Sequence, residues 1–376
     1  MSYKEDYNRA VFLNAYGHGK PLKKNEEYQR YFEFECEIAN PRKYHKSLIK
    51  EGYLQPSTVK DIVSSLKVPE LKMICDSLGI IKTGKKQELV DRIASSCSSE
   101  QLNSFINEPL YSLSKEGILF MDEHEDYVEL HKHKNWGISL DEYVKVKQSL
   151  PFKGSFRDVA WGIFNKRIIE YSKQHGLLRN NYLCMSNLMK EENKHEEELR
   201  YLLYVLFFDI CDSDINQHLD YCDTKEEALR NYDCFALKTS IPQIIANLEK
   251  YYNESYVDEI YAQYKKFPID LCDATTFKLL IFDIFNDTEN IKNKYQNILY
   301  DNYVKHVDKY FAKHPVSKHQ EYEKWLDFLD NGGTTEEWKR MQNSKNSSTG
   351  VKKSGGCLTS ILVCCLFIFL IMSFLI

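Results

Sequence analysis

The sequence predicts a mainly α-helical fold that ends in a transmembrane helix. Apolar residues recur three and four positions apart along much of the chain, and only 9 of its 376 residues are proline, which favours helices. The last 20 residues, 357–376, carry no charged side chain, which predicts the membrane segment. The overall composition, 43% hydrophobic and 28% charged, is typical of globular chains rather than disordered ones.

Changes in composition and periodicity divide the chain into six predicted segments. They are an unassigned N-terminal segment (1–56), a small helix–extended–helix unit (57–97), a small α+β segment (98–154), a helical domain (155–330), a short helix with a flexible linker (331–356) and a transmembrane anchor (357–376).

The charge balance restricts how the chain can bind nucleic acid. The formal net charge is −5, so the overall field repels phosphate, and any such binding must come from a local basic patch. The 11 cysteines are scattered without a C-x-x-C pair, which favours a reducing compartment with free thiols. No P-loop, G-x-S-x-G or zinc-protease motif occurs, and we expect no enzymatic activity, no metal site and no cofactor.

The segment 66–79 predicts the first helix of the small unit. Pro69 and Glu70 suit a first helical turn, because proline presets φ and a carboxylate is stabilised by the helix dipole. Gly79 stands where a left-handed C-terminal cap is expected. The apolar stripe of this helix is Leu71, Ile74, Cys75 and Leu78.

The start of the second helix is predicted to bind phosphate. Ile80 and Ile81 form an extended link, and Thr83 is expected to cap the helix that follows. The N–H groups of residues 84–86 then lack intrahelical acceptors, and Gly84 leaves room for an anion to approach. Residues 57–97 hold seven Lys and Arg against five Asp and Glu, so the unit is locally positive. The inward face of the second helix is Leu89, Val90 and Ile93.

This pattern resembles the SAP domain, a helix–extended–helix module that binds DNA. The residues that carry the resemblance are Leu71, Leu78, Gly79, Gly84, Lys85, Lys86, Leu89, Arg92 and Ile93. The resemblance implies contact with the backbone of duplex DNA through the link and the start of the second helix. The candidate DNA-binding residues are Lys82, Thr83, Gly84, Lys85, Lys86 and Arg92.

Three flanking segments resemble SAP-containing proteins of bacteria and their prophages. These segments are Tyr44–Leu54, Glu116–Lys134 and Phe152–Lys166. The alternative for residues 57–97 is a structural or protein-binding helical hairpin whose lysines are merely solvated. Exposure of Lys82–Lys86 would favour DNA binding, and burial of that loop against residues 111–170 would favour the alternative.

Residues 111–149 predict a small β element followed by a helix. The alternation in Tyr127–Lys134 is typical of a strand, and a helix is expected over Ser139–Ser149 after a turn. His131 and His133 would share one face of that strand, with His124 a few residues upstream, but no Cys or carboxylate stands at metal-ligand spacing.

The region 155–330 predicts an all-helical body. Apolar positions recur at helical spacing at Val159, Ile163 and Ile168, at Leu199, Leu202, Leu203 and Leu206, and at Ile281, Phe282 and Phe285. Residues 181–209 resemble a single tetratricopeptide-type helix pair with Asn193 at its turn, which leaves open a protein partner on this body. Thr334 and Glu337 are placed as a capping box for a short helix.

The predicted anchor fixes the expected location and the leading functional hypothesis. As a helix, residues 357–376 would span about 30 Å, the thickness of a bilayer core. Lys352 and Lys353 precede them, which predicts a single-pass anchor in the lipid bilayer with the body facing the cytoplasm. The sequence therefore predicts a membrane-anchored, non-enzymatic protein that binds duplex DNA. The alternative is a membrane-tethered helical scaffold that binds a protein partner.

Overall fold

The structure is a computed structural model that describes residues 2–98, 101, 108–211, 215–230, 232, 235–264, 271–314 and 318–348. Helices dominate the described residues, so the mainly α prediction is confirmed. The helices are α1 (Tyr3–Tyr16), α2 (Tyr31–Phe34), α3 (Pro41–Lys50), α4 (Val59–Ser65), α5 (Val68–Ser77), α6 (Lys86–Ser96), α7 (Lys115–Glu123), α8 (Glu125–Lys132), α9 (Leu140–Ser149), α10 (Phe156–Glu170), α11 (His175–Glu191), α12 (His195–Ile210), α13 (Ile215–Asp220), α14 (Lys225–Arg230), α15 (Ile241–Ala246), α16 (Ser255–Gln263), α17 (Ala274–Asp287), α18 (Ile291–Lys313), α19 (Lys318–Asp330) and α20 (Thr335–Ser348).

The prediction of a transmembrane helix in this fold is corrected, and with it the single-pass membrane localisation. Among the residues that the structure describes, no helix combines the length and the apolar composition that crossing a bilayer requires. Residues 357–376, which carried both predictions, lie outside the described residues.

The chain forms two compact units. The first comprises Met1–Phe208 and Gln243–Ile260, and the second comprises Asp209–Pro242 and Tyr261–Ile376. The second unit has a core in which α18 packs against α13 and α14. The buried residues of that core are Leu219, Cys222, Ala228, Leu271, Tyr303, Val307 and Tyr310. The predicted six-segment division remains a prediction.

A small antiparallel sheet organises the N-terminal part of the first unit. Its strands are β1 (Lys20–Pro21), β2 (Leu54–Pro56) and β3 (Leu110–Leu113), and β3 lies between the other two. Strands this short show too few alternations to be read from sequence. The register aligns Lys20 with Tyr111 on one side and Leu54 with Leu113 on the other.

The N-terminal segment and the segment after β3 share one core. Helix α1 packs against α7, α8 and β3, and it buries Phe12 and Leu13 completely. Each such side chain stabilises the fold by about 1.5–3 kcal/mol. The partly buried residues that complete this core include Tyr111, Leu113, Phe120 and Met121.

Residues 58–97 are inserted between two neighbouring strands of the sheet, and they are called the inserted unit. β2 ends at Pro56 and β3 begins at Leu110, and the Ser57 N–H donates to the Leu110 carbonyl at 2.9 Å. Helices α4 and α5 both pack on α6 around a separate core. Its buried residues are Ile62, Val63, Leu71, Ile74, Cys75, Leu89, Val90, Ile93 and Cys97. A unit of about 40 residues is only marginally stable alone, and here its N-terminal end follows directly on β2.

Two local predictions for residues 111–149 have different outcomes. The strand over Tyr127–Lys134 is wrong, because this segment forms α8 and then a 3-10 turn. Its apolar positions also suit one helical face, with Tyr127, Val128 and Leu130 buried. The helix after Ser139 is confirmed as α9, and the Ser139 hydroxyl accepts the Glu142 N–H at 3.2 Å.

The helical body largely follows its apolar spacing. In α10, Val159 and Ile163 are buried, and in α12 so are Leu199, Leu202, Leu203 and Leu206. Phe282 departs from the pattern, because it is 62% exposed. Asn193 does stand at the α11–α12 turn, with φ of 57°, but the tetratricopeptide assignment itself stays a prediction. The capping box at Thr334 and Glu337 is present, and α20 runs to Ser348 in the segment predicted as linker.

Candidate nucleic-acid interface

The turn between α5 and α6 has the geometry that its sequence predicts. Gly79 has φ of 65°, the left-handed conformation that glycine adopts without strain. The Ile80 N–H donates to the Cys75 carbonyl at 2.9 Å, and the Gly79 N–H donates to the backbone carbonyl of Asp76 at 3.2 Å. These two bonds form a Schellman cap, which ends α5 and sends the chain into the link.

The predicted cap of α6 is corrected. Thr83 does not cap this helix, since its N-cap residue is Lys85, whose N–H donates to the Glu88 carboxylate at 3.2 Å. A carboxylate three residues into the helix can reach back in this way, so it replaces the expected hydroxyl. The N–H groups without an intrahelical acceptor are therefore those of residues 86–88, two positions later than predicted.

The link and the start of α6 are open to solvent. Every residue from Ile81 to Glu88 is exposed, and Ile81 is 68% exposed. This run contains five of the six predicted DNA-binding residues, Lys82, Thr83, Gly84, Lys85 and Lys86. The loop is thus not buried against residues 111–170, the arrangement that would have favoured a structural role.

Arg92 holds the link in place from the second turn of α6. Its guanidinium Nη1 donates to the Ile81 carbonyl, and its Nη2 lies 3.6 Å from Glu88 Oε2. Gly84 has φ of 126°, and a Cβ at this position would lie 2.2 Å from Glu88 Oε2. The left-handed φ favours glycine here, and any larger side chain would also require the Glu88 carboxylate to move.

The cations of the interface differ in what they already bind. The Lys82 ammonium lies 3.0 Å from the Asp76 carboxylate, and both side chains are more than half exposed. Exposed pairs of this kind contribute about 0–1 kcal/mol, so a phosphate can displace Asp76 cheaply. In contrast, the ammonium groups of Lys85 and Lys86 have no side-chain partner in the part of the chain that the structure describes.

Each carboxylate of the inserted unit has a hydrogen-bond or ion-pair partner, and the net charge of the unit stays at the positive value that the count of its residues gives. Their partners are Thr58 for Asp61, the Lys67 N–H for Glu70, Lys82 for Asp76, Arg92 for Glu88, and Gln87 for Asp91. Two further exposed lysines of this unit, Lys67 and Lys72, are not among the candidates that the sequence predicts.

Buried groups under the interface are neutral. Burial raises the pKa of the Cys75 thiol, so this side chain packs as an apolar group against α6. The chemistry of the exposed face therefore comes from ammonium groups and backbone N–H groups, which bind oxyanions by charge and hydrogen bonding.

Comparison with known families decides the nature of this unit. Residues 62–95 match the family model of the SAP domain. The match confirms that this chain contains an SAP domain. The inserted unit is therefore called the SAP domain below. The match covers the second half of α4, all of α5, the link and most of α6. No curated protein and no solved structure shows significant similarity to the chain. The resemblance of flanking segments to bacterial and prophage proteins stays a prediction.

The predicted histidine face does not exist as such, because His131 and His133 lie on and just after α8 rather than on a strand. His131 Nδ1 lies 2.9 Å from the Tyr7 hydroxyl, and His133 Nε2 lies 3.0 Å from Glu191 Oε1. Each imidazole thus binds a neighbouring helix and contributes to packing of the body.

Proposed function

We propose that the protein binds the phosphate backbone of duplex DNA through its SAP domain. SAP domains are generally DNA-binding modules, and the observation that carries the proposal here is the exposed run Ile81–Glu88. The N-terminus of α6 presents free N–H groups and positive dipole charge, and Lys85 and Lys86 add two full charges. Together they make a phosphate site of the kind that fixes a protein on a duplex without reading its sequence.

The small number of charges sets the expected strength. A protein that neutralises Z phosphates on B-DNA shows a log–log salt slope of about −0.9Z, so Lys85 and Lys86 contribute about −2. Binding through this site alone is therefore weak and easily reversed by salt. The proposed role is binding without catalysis, so a labelled duplex incubated with the protein is expected to be recovered intact.

Charge reversal in the full-length protein tests the proposal. We expect Lys85→Glu/Lys86→Glu to lower the affinity for a labelled duplex at least about tenfold at low salt. The log–log salt slope should become less negative by about 2. Fluorescence anisotropy over a salt series measures both quantities. Because the substituted side chains are exposed, the stability of the fold should change by less than about 0.5 kcal/mol.

The matched control is Lys305→Glu/Lys309→Glu on α18. These lysines are exposed and have no side-chain partner among the described residues, and their reversal changes the net charge equally. The control should bind within about twofold of the wild type. Equal losses in the two variants would mean that only net charge matters. Absence of salt-dependent binding by the wild type would refute the proposal and favour a protein partner instead.

A further inference from the structure

Helix α3 carries an unusual excess of positive charge. Its ten residues include Arg42, Lys43, Lys46 and Lys50 and no Asp or Glu. Three of these lysines, at positions i, i+3 and i+7, fall on one side of the helix and are exposed. The opposite side is buried through Pro41, His45 and Leu48. The lysines Lys43, Lys46 and Lys50 are called the α3 basic face below.

Nearby carboxylates do not neutralise the α3 basic face. None of its three ammonium groups has a side-chain partner within the described part of the chain. The carboxylate nearest in sequence, Glu51, lies 3.3 Å from the buried Arg9 guanidinium. Lys43 also stands in the first turn of α3, where the helix dipole disfavours a cation. Helix stability therefore accounts for Lys50, in the last turn, but not for Lys43.

A basic loop extends the α3 basic face toward the SAP domain. The Lys23 carbonyl accepts from Arg42 Nη1 at 3.1 Å, which fixes this loop to the start of α3. Four residues earlier, a Cβ on Gly19 would lie 3.1 Å from the Ser65 hydroxyl of α4. Four residues span at most about 14 Å. The segment from Gly19 to Lys23 therefore joins the start of α3 to the end of α4; it includes the exposed Lys20 of β1, and the exposed Lys24 follows it directly.

The other end of α3 is also tied to the SAP domain. Only eight residue steps separate Lys50 from the Thr58 cap of α4, so these positions are at most about 28 Å apart. One turn of B-DNA is about 34 Å long. A duplex that lies on the α3 basic face can therefore reach the near edge of the SAP domain, at the start of α4, within about one helical turn.

We propose that the α3 basic face contacts the backbone of the same duplex that the SAP domain binds. This inference rests on the proposed function and adds a second, separate set of phosphate contacts. Joining two weak sites within one compact unit raises the effective concentration of each at the other. In a chain of net charge −5, both sites are local exceptions to a repulsive field.

Neutralising the α3 basic face in the full-length protein tests the inference. We expect Lys43→Gln/Lys46→Gln/Lys50→Gln to weaken binding to a duplex of two turns about tenfold and to reduce the salt slope by about 2.7, for three phosphates. The control Lys305→Gln/Lys309→Gln/Lys313→Gln removes three exposed lysines from α18 and should leave the affinity and the slope unchanged. Equal thermal midpoints for both variants confirm that the fold is intact.

The outcomes separate this inference from the proposed function. If the α3 variant binds like the wild type while Lys85→Glu/Lys86→Glu loses binding, the inference is wrong and the SAP proposal stands. If the α3 variant alone loses binding, the SAP proposal is wrong, and so is the inference of one shared duplex. If vesicles containing phosphatidylserine bind in an α3-dependent way while DNA affinity is unaffected, the face binds lipid and the inference is overturned.

Discussion

His45 is an ionisable side chain enclosed by aromatic rings. It is fully buried, and its ring centre lies 5.4–6.1 Å from those of Phe12, Tyr16, Tyr28 and Tyr111. Its Nδ1 lies 3.0 Å from the Tyr28 hydroxyl, and its Nε2 has no hydrogen-bond partner among the described residues. Burial lowers the pKa of His45 to about 4, so the native state holds this imidazole neutral.

This environment predicts a loss of stability in mild acid. Unfolded His45 titrates near pH 6.5, so between pH 6.5 and about 4 the unfolded state binds more protons than the native state. Stability is therefore full above pH 6.5 and falls as the pH drops, by up to about 3 kcal/mol from this group. Urea unfolding of the full-length protein at a series of pH values measures the slope.

His45→Phe is the informative variant for that prediction. It keeps a ring in the cluster but removes the titrating group, so the stability of the variant should fall less steeply between pH 6.5 and 4. The Tyr28 hydroxyl loses a partner, which costs about 1–3 kcal/mol at every pH and leaves the slope difference intact. Parallel pH profiles for the two proteins would show that His45 does not carry the effect.

The sequence predicts some residues of the candidate DNA-binding site correctly and others not. Gly79 and the exposed lysines were predictable, because a left-handed cap and a polar helix start have direct sequence signals. The cap at Lys85 and the pairing of Lys82 with Asp76 were not, because Glu88 and Asp76 are competing partners whose choice depends on the folded geometry.

At the scale of elements, one serine of β3 links the segments that flank the three strands of the sheet. The Ser112 hydroxyl on β3 accepts the Gly19 N–H at 3.1 Å and lies 2.8 Å from the Ser57 hydroxyl. Ser112 is 5% exposed, so a group left unpaired there has no ready access to water. This one hydroxyl thus connects β3 to the residues that flank β1 and β2.

Ser112→Ala is expected to destabilise the protein by about 1–3 kcal/mol, because it leaves the buried Gly19 N–H without its acceptor. Hydrogen exchange should accelerate at Gly19, while amides in α6 keep their protection, since the SAP domain has its own core. Ser64→Ala changes an exposed serine of α4 and serves as the control. Equal unfolding midpoints for the two variants would contradict the role given to Ser112.

Helices and strands differ in how far sequence could predict them. Inward faces such as Leu89, Val90 and Ile93 were correct, because the spacing of apolar residues records which side of a helix is buried. The strand at Tyr127–Lys134 was wrong, since a short alternating segment also fits a helix. β1, β2 and β3 have two to four residues each, and their pairing depends on partners far away in sequence.

At the scale of the whole molecule, the SAP domain is inserted between two strands that pair with each other, and we expect the rest of the first unit to fold without it. Residues 57 and 110 face each other in the sheet, so the gap left by removing 58–109 can be closed by a two-residue turn. We expect a chain with Asn-Gly in place of 58–109 to remain helical and to unfold cooperatively. Circular dichroism during heating measures this.

The same deletion distinguishes the two proposed DNA contacts. The deleted chain lacks Lys85 and Lys86 but keeps the α3 basic face, so we expect weak binding with a salt slope of about −2.7. An unfolded or aggregated product would instead show that the SAP domain stabilises the body on which it is inserted.

The position of the SAP domain between paired strands has a consequence for chain entropy. Pairing β2 with β3 closes a loop of about 50 residues, and each doubling of such a loop costs only about 0.6 kcal/mol. A larger or smaller module at this position would therefore change the stability of the body very little. The residues of the proposed phosphate contacts lie outside the buried cores of the first unit, so we expect either set to change with little effect on the other.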